Sequence, residues 1–155
     1  MAETNRTILV TGAGGFVASH TVIELLAEGY NIIGVDNFVN SVQGEGSDMP
    51  ESLRRVEEFT GKKISFHRVD LCNKEALLEV FSRHKVDCVM HFAALKGVGE
   101  SWQIPLRYYS NNLNGSTTLL EAMKESGCKK IVYSSSSTTY GVPLYLPVDE
   151  KHPVG

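Results

Sequence analysis

A short apolar run breaks off into glycines, and a helical pattern starts directly behind them: Ile8-Leu9-Val10, then Thr11-Gly12-Ala13-Gly14-Gly15, then Phe16 onward. No other stretch constrains the chain as much. The apolar run reads as a strand buried on both faces. Gly12, Gly15 and Ala18 fit the spacing G-x-x-G-x-x-G/A. An early glycine lets the backbone leave the strand sharply, and a second leaves the main chain open to close approach by a ligand. A small residue at 18 lets helix and strand pack tightly. The unpaired N–H groups of such a helix start attract phosphate. On these three residues alone, an ordinary glycine-rich strand-to-helix turn fits equally well.

Asp36 separates the two readings. Asn31-Ile32-Ile33-Gly34-Val35 is a second buried-strand run, and Asp36 ends it. A carboxylate about 20 residues past the glycines, at the end of the second strand, suits the hydroxyls of an adenosine ribose. It would repel a 2′-phosphate, so the expected cofactor is NAD rather than NADP.

Composition narrows the partners. The 155 residues are 42% hydrophobic, enough for one core, and the formal charge of −3 leaves no basic footprint for nucleic acid. The first six residues are polar and too short for a signal peptide, and no apolar run could span a bilayer. A cytoplasmic protein away from membranes is expected. Cys72, Cys88 and Cys128 form neither a disulfide framework nor a zinc pattern and read as small buried thiols; no metal site is expected.

The remaining elements alternate. Helices are predicted over residues 15–28, 51–60, 74–84 and 105–125, with Asn73 capping the third. Leu113, Leu119, Leu120 and Met123 are the predicted buried stripe of the last. Strands are predicted at 64–69, 87–92 and 130–133. Residues 41–49, the stretch after Ala94 marked by Lys96, Gly97 and Gly99, and residues 134–139 read as loops. The prolines after Gly141 argue for an irregular end. Such alternation predicts an α/β, doubly wound parallel (Rossmann) sheet in the order 3-2-1-4-5, with its ligand outside the carboxyl ends of the strands.

Gly15, Asp36, Asp70, the residues 92–96 and the residues 134–138 each follow a different predicted strand, so one rim gathers them. Asp70 and Leu71 suit an adenine, although Asp70 serves equally well as a cap for the next helix. Phe92-Ala93-Ala94 would let a ribose pass close to backbone. Lys96 is the cation of its loop, and Ser134 to Ser137 offer hydroxyls to a substrate. His20 and His91 lie near no recognisable nucleophile and read as structural.

The stretches VTGAGGFVASH (10–20), DNFVN (36–40), PESLRRV (50–56), HFAALKGVGES (91–101), NLNGS (112–116), SSSSTTYG (134–141) and YLPVDEKHP (145–153) resemble the UDP-glucose (UDP-galactose) 4-epimerases. These belong to the extended short-chain dehydrogenase/reductase family. The resemblance runs from Ile8 to Pro153. It implies that Gly12 and Gly15, with Phe16 and Val17, hold the NAD pyrophosphate. Asp36, Asn37, Phe38 and Asn40 would line the adenosine ribose and its turn, and Asp70 and Leu71 the adenine. Phe92 and Lys96 would meet the nicotinamide-side ribose and phosphates, with Asn111 supporting the groove. Ser136 matches the catalytic serine that hydrogen-bonds the reacting sugar, and Ser137 and Thr138 flank it toward substrate. The sequence departs from the family pattern at Ala18, at Ala13-Gly14 and at Ser137.

The resemblance also implies a tyrosine base in Tyr-x-x-x-Lys, which takes the proton of the sugar C4 hydroxyl while hydride passes to NAD and returns to the other face. UDP-galactose and UDP-glucose would interconvert with no net redox change, in a homodimer when full length. None of the six tyrosines here has a lysine four residues on. Residues 1–155 are therefore expected to be an incomplete NAD-binding domain without its substrate domain, inactive alone and prone to self-association. The alternatives are a related 4,6-dehydratase or decarboxylase, or a catalytically silent dinucleotide-binding module.

Overall fold

Alternation of side chains along each strand decides how this chain layers. Leu9, Ile33, Val35 and Val89 point to one side of the sheet, where they pack with Leu77, Val80 and Phe81 and with Leu119, Ala122 and Met123. Ile8, Val10 and Ile32 point to the other side and meet Ala18, Val22 and Leu26 together with Leu53 and Val56. The result is a three-layer sandwich whose sheet is buried on both faces, as near-continuous apolar strands require.

A computed structural model describes residues 4–155. Its elements are β1 (Thr7–Thr11), α1 (Phe16–Ala27), β2 (Asn31–Asp36), α2 (Glu51–Thr60), β3 (Ser65–Arg68), α3 (Lys74–Arg83), β4 (Cys88–His91), α4 (Val98–Gln103), α5 (Pro105–Tyr108), a π-helical segment (Tyr109–Asn114), α6 (Gly115–Ser126) and β5 (Ile131–Tyr133). A 3₁₀ turn (Ser137–Tyr140) follows. The five strands are parallel in the order β3-β2-β1-β4-β5, the order expected from the sequence. Every β-to-α connection consequently leaves the same edge of the sheet. Helix ends follow local chemistry. Asn73 caps α3 by accepting the Ala76 N–H at 3.0 Å, and Gly61 and Gly127 close α2 and α6 in the left-handed conformation.

Five sequence expectations need correction. The single helix over 105–125 is three segments, because a π turn at Tyr109–Asn114 inserts between α5 and α6. That turn rotates the apolar stripe, so Leu119 and Met123 are buried while Leu113 and Leu120 are exposed, and Ala122 takes the missing core position. The stretch after Lys96, read as loop from its glycines, forms the short helix α4, and the serine loop ends in the 3₁₀ turn. Cys72 is exposed and Cys88 only half-buried, so only Cys128 is the buried thiol expected of all three. No helix of the described residues is long and apolar enough to cross a membrane.

Candidate functional site

At the carboxyl edge of the sheet the loops enclose a groove of ≈ 840 Å³. Its floor is the glycine turn. Gly12 sits at φ +63°, and a Cβ there would lie 2.8 Å from the backbone of Ala93 after β4. The Gly15 N–H closes the turn on the Gly12 carbonyl at 2.9 Å. Gly15 then serves as the N-cap of α1 without a side-chain cap, and the first turn holds no acidic residue. The opening N–H groups of α1 therefore lack side-chain partners, and Gly15, Phe16, Val17 and Ala18 all line the groove. Phe16 is 77% exposed beside it. A Cβ at 15 would meet the Gly12 oxygen at 3.1 Å, a tight contact that glycine avoids while leaving the main chain without a side chain at the groove.

Asp36 closes the turn from the β2 side. Its Oδ1 accepts the Phe38 N–H and the Ser41 hydroxyl, each at 2.8 Å, and its Oδ2 accepts the Gly14 N–H at 3.0 Å. Three of the roughly four acceptor positions of a carboxylate are thus occupied by the protein itself. Oδ1 holds the β2–α2 loop, and Oδ2 has one acceptor position left toward the groove. Asn37, Asn40 and Ser41 line the groove beside it. Phe38 does not. It adopts φ +63° and turns its ring edge-on to Phe66 at 5.6 Å, with the Arg68 guanidinium 5.0 Å from its centroid.

Leu71 faces the groove, whereas Asp70 stands behind Asn37, whose amide donates to Asp70 Oδ2 at 3.0 Å. Its other oxygen accepts the Cys72 N–H at 2.8 Å. Asp70 does not cap α3, a task Asn73 performs. Burial pushes the Asp70 carboxyl up, but the Cys72 and Asn37 hydrogen bonds outweigh it and hold the group below its ordinary value.

The other end of the groove rests on a buried polar chain that the sequence reading left as merely structural. His91 ends β4 almost fully buried, with Nδ1 2.6 Å from Thr11 Oγ1 and Nε2 2.9 Å from Ser116 Oγ. Burial lowers its pKa, so the ring is neutral and bridges two hydroxyls. Above it run Phe92, Ala93, Ala94 and Lys96, all groove-lining. Asn112 clamps this run by accepting the Leu95 N–H and donating to the Leu95 carbonyl, both at 2.8 Å. Asn111 lines the groove and donates to Asn112 at 2.9 Å. Tyr108 accepts the Gly97 N–H at 2.9 Å and reaches the Glu100 carboxylate at 2.6 Å. Asn112, Tyr108 and Ser41 were missed from sequence; adjacent asparagines inside a predicted helix, poor helix formers both, were the available signal.

Ser136 and Thr138 line the far wall, and Ser137 points elsewhere as the first residue of the 3₁₀ turn. The Ser136 hydroxyl lies 2.9 Å from that of Thr138 and accepts its N–H at 3.3 Å. The groove thus has a phosphate-ready helix start in its floor, an acid at one end, and a cation with exposed hydroxyls at the other.

A family model described as the NAD dependent epimerase/dehydratase family matches residues 8–155. The chain belongs to that family. Among curated relatives, the chain is 55% identical over 149 residues to a UDP-glucose 4-epimerase of Drosophila melanogaster. It is 50% identical over 148 residues to a UDP-glucose 4-epimerase of Bacillus subtilis (strain 168). Each alignment covers 96% of this chain, and the chain spans about 42% of the length of those relatives. A crystal structure of UDP-glucose 4-epimerase from Bifidobacterium longum, in complex with NAD+ and UDP, superposes with a TM-score of 0.86 at 46% identity. It covers 96% of this chain and 42% of the other. Membership of the NAD dependent epimerase/dehydratase family agrees with the strand order and with the position of the groove at the switch of that order.

Proposed function

We propose that this chain is the NAD-binding part of a UDP-glucose 4-epimerase. The observation that carries the reading is a single groove, on the carboxyl edge of the sheet, that joins the bare glycine turn of α1 to Asp36 at one end and to Lys96 and Ser136 at the other. Bound NAD would supply hydride acceptance from the sugar C4 and its return to the opposite face. The α1 N–H groups would hold the pyrophosphate, and the free position on Asp36 Oδ2 would accept a ribose hydroxyl. Lys96 would hold charge near the nicotinamide-side phosphate, and the Ser136 hydroxyl would bind and orient the sugar C4 hydroxyl. No tyrosine among residues 4–155 has a lysine four residues on, so these residues do not supply a Tyr-x-x-x-Lys base for proton removal. The exposed apolar residues Leu106, Tyr109, Leu113 and Leu120 along α5 to α6 support a homodimer in the longer protein.

The test is a coupled assay for UDP-glucose released from UDP-galactose. A protein continued through a Tyr-x-x-x-Lys and the substrate-binding region should turn over, and the 155-residue chain should not. Turnover by the short chain would move the catalytic base into residues 1–155 and overturn the assignment. NAD binding without turnover by such a longer protein would favour a catalytically silent dinucleotide-binding module instead.

A further inference from the structure

At the opposite margin of the sheet, outside the groove, two histidines meet. His67 lies on β3, the outermost strand, and His84 directly follows α3. Their Nε2 atoms are 3.0 Å apart, with ring centroids 5.1 Å apart at 75°. Both rings are half-buried and neither lines the groove. Nothing in the proposed cofactor chemistry uses them.

We propose that His67 and His84 form a two-histidine site for a divalent transition metal of the Zn²⁺ or Ni²⁺ type. Metal–imidazole bonds of about 2.0–2.1 Å, at angles between square and tetrahedral, require the two nitrogens to be about 2.9–3.4 Å apart. The observed separation falls inside that range without any movement of backbone. In the metal-free pair one Nε2 carries a proton and donates it to the other. Metal binding needs both lone pairs, and the donor ring meets the need by shifting its proton to Nδ1, so the pair loses no charge. Imidazole donors exclude Mg²⁺ and Ca²⁺, which take oxygen.

The neighbours set the strength. Glu79, an acid whose charge is felt at His67, is engaged by the Arg83 guanidinium, both side chains being about 60% exposed. No cluster of three or more metal-ligating side chains exists among the described residues. Water completes the coordination, and Arg83 repels the ion, so binding is modest. An occupied site would nonetheless cross-link the edge strand to the end of α3. Folded chain holds the two nitrogens together and unfolded chain does not, so the metal must stabilise the fold.

The experiment titrates ZnCl₂ into the chain under reducing conditions, following imidazole resonances by NMR and the melting temperature. One saturable equivalent should shift the His67 and His84 signals together and raise the melting temperature, while MgCl₂ does neither. His67→Gln and His84→Gln should each abolish both effects, and Arg83→Gln should tighten binding by removing the cation and freeing Glu79. Zinc binding retained in both single histidine variants overturns the proposal, as does saturation that leaves the two imidazoles of the unaltered chain unshifted. The second readout needs no variant and decides the matter even if a substitution unfolds the protein.

Discussion

Asp36 Oδ2 accepts the Gly14 N–H at 3.0 Å, so the acid at the end of β2 also braces the glycine turn that follows β1. The same carboxylate secures Phe38 and Ser41 on the opposite side. One side chain thus links shape to selectivity: the turn that would bear phosphate is held by the group that would choose between ribose and ribose phosphate.

Asp36→Ala should therefore do two things. Orphaning three donors at a mostly buried position should lower stability by about 2 kcal/mol, read from urea unfolding. In a longer, cofactor-binding form of the protein, it should also narrow a preference for NAD over NADP, read by calorimetric titration. Equal affinities in the unsubstituted protein would remove the acid from cofactor choice.

Gly12→Ala tests the floor of the groove. The new methyl would meet Ala93 Cα and N at 2.8 Å in a backbone conformation at φ +63°. Left-handed strain alone costs on the order of 1–3 kcal/mol, and backbone cannot swing aside as a flexible side chain can. The urea midpoint should fall accordingly; an unchanged midpoint would show that β1 and β4 part easily at this edge.

Acid should weaken the fold before the carboxylates titrate. His67 is lowered by burial and then by the charges of His84 and Arg83, and His91 by burial alone, both from an ordinary 6.5. Just below pH 6.5 the unfolded chain binds more protons than the folded one. The stability held by these neutral rings is complete above about pH 6.5 and is lost as pH falls toward their folded-state values. Unfolding free energy should thus drop between pH 7.5 and 5.5, with a shallower drop in His67→Gln. A flat profile across that interval would contradict the desolvation of both rings.

Ser136 occupies two hydrogen bonds with Thr138 and lines the groove. In a longer, active form, Ser136→Ala should reduce kcat by about 10²–10³-fold, the usual cost of one donor aimed at a reacting oxygen, while NAD affinity changes little. Steady-state kinetics with UDP-galactose and a separate NAD titration make the comparison. Loss confined to NAD affinity would assign the serine to the cofactor.

The β5 edge should make the isolated chain self-associate. Ile131, Val132 and Tyr133 are 38%, 53% and 57% exposed, and one side of the strand has no neighbour in the sheet order. Sedimentation should show mass rising with concentration, and a lysine at Val132 should suppress it. A monodisperse monomer at high concentration would show that the edge is protected.

The features legible in the sequence are those that short-range chemistry dictates. Apolar runs ending in Gly12, Asp36 and His91 announced parallel strands, and Asn73 and Gly61 announced helix ends. What escaped depends on partners distant in sequence. Phe38 accepts a left-handed backbone because Phe66 and Arg68 receive its ring. Asn112 becomes a clamp only when Leu95 is folded beside it. The π turn has no local mark beyond weak helix formers, so helical periodicity run through it placed Leu113 and Leu120 in the core.

That π turn also makes counting matter more than composition between Pro105 and Gly115. Each residue in a helix turns its successors by about 100°. Deleting one residue from Tyr109–Asn114 would let the ladder heal into an unbroken α-helix, and healing would be the damage. Either Asn112 would leave Leu95, or Leu119, Ala122 and Met123 would revolve away from β4. Substitutions there are a matter of degree, whereas a change of length forces a choice between the groove and the core.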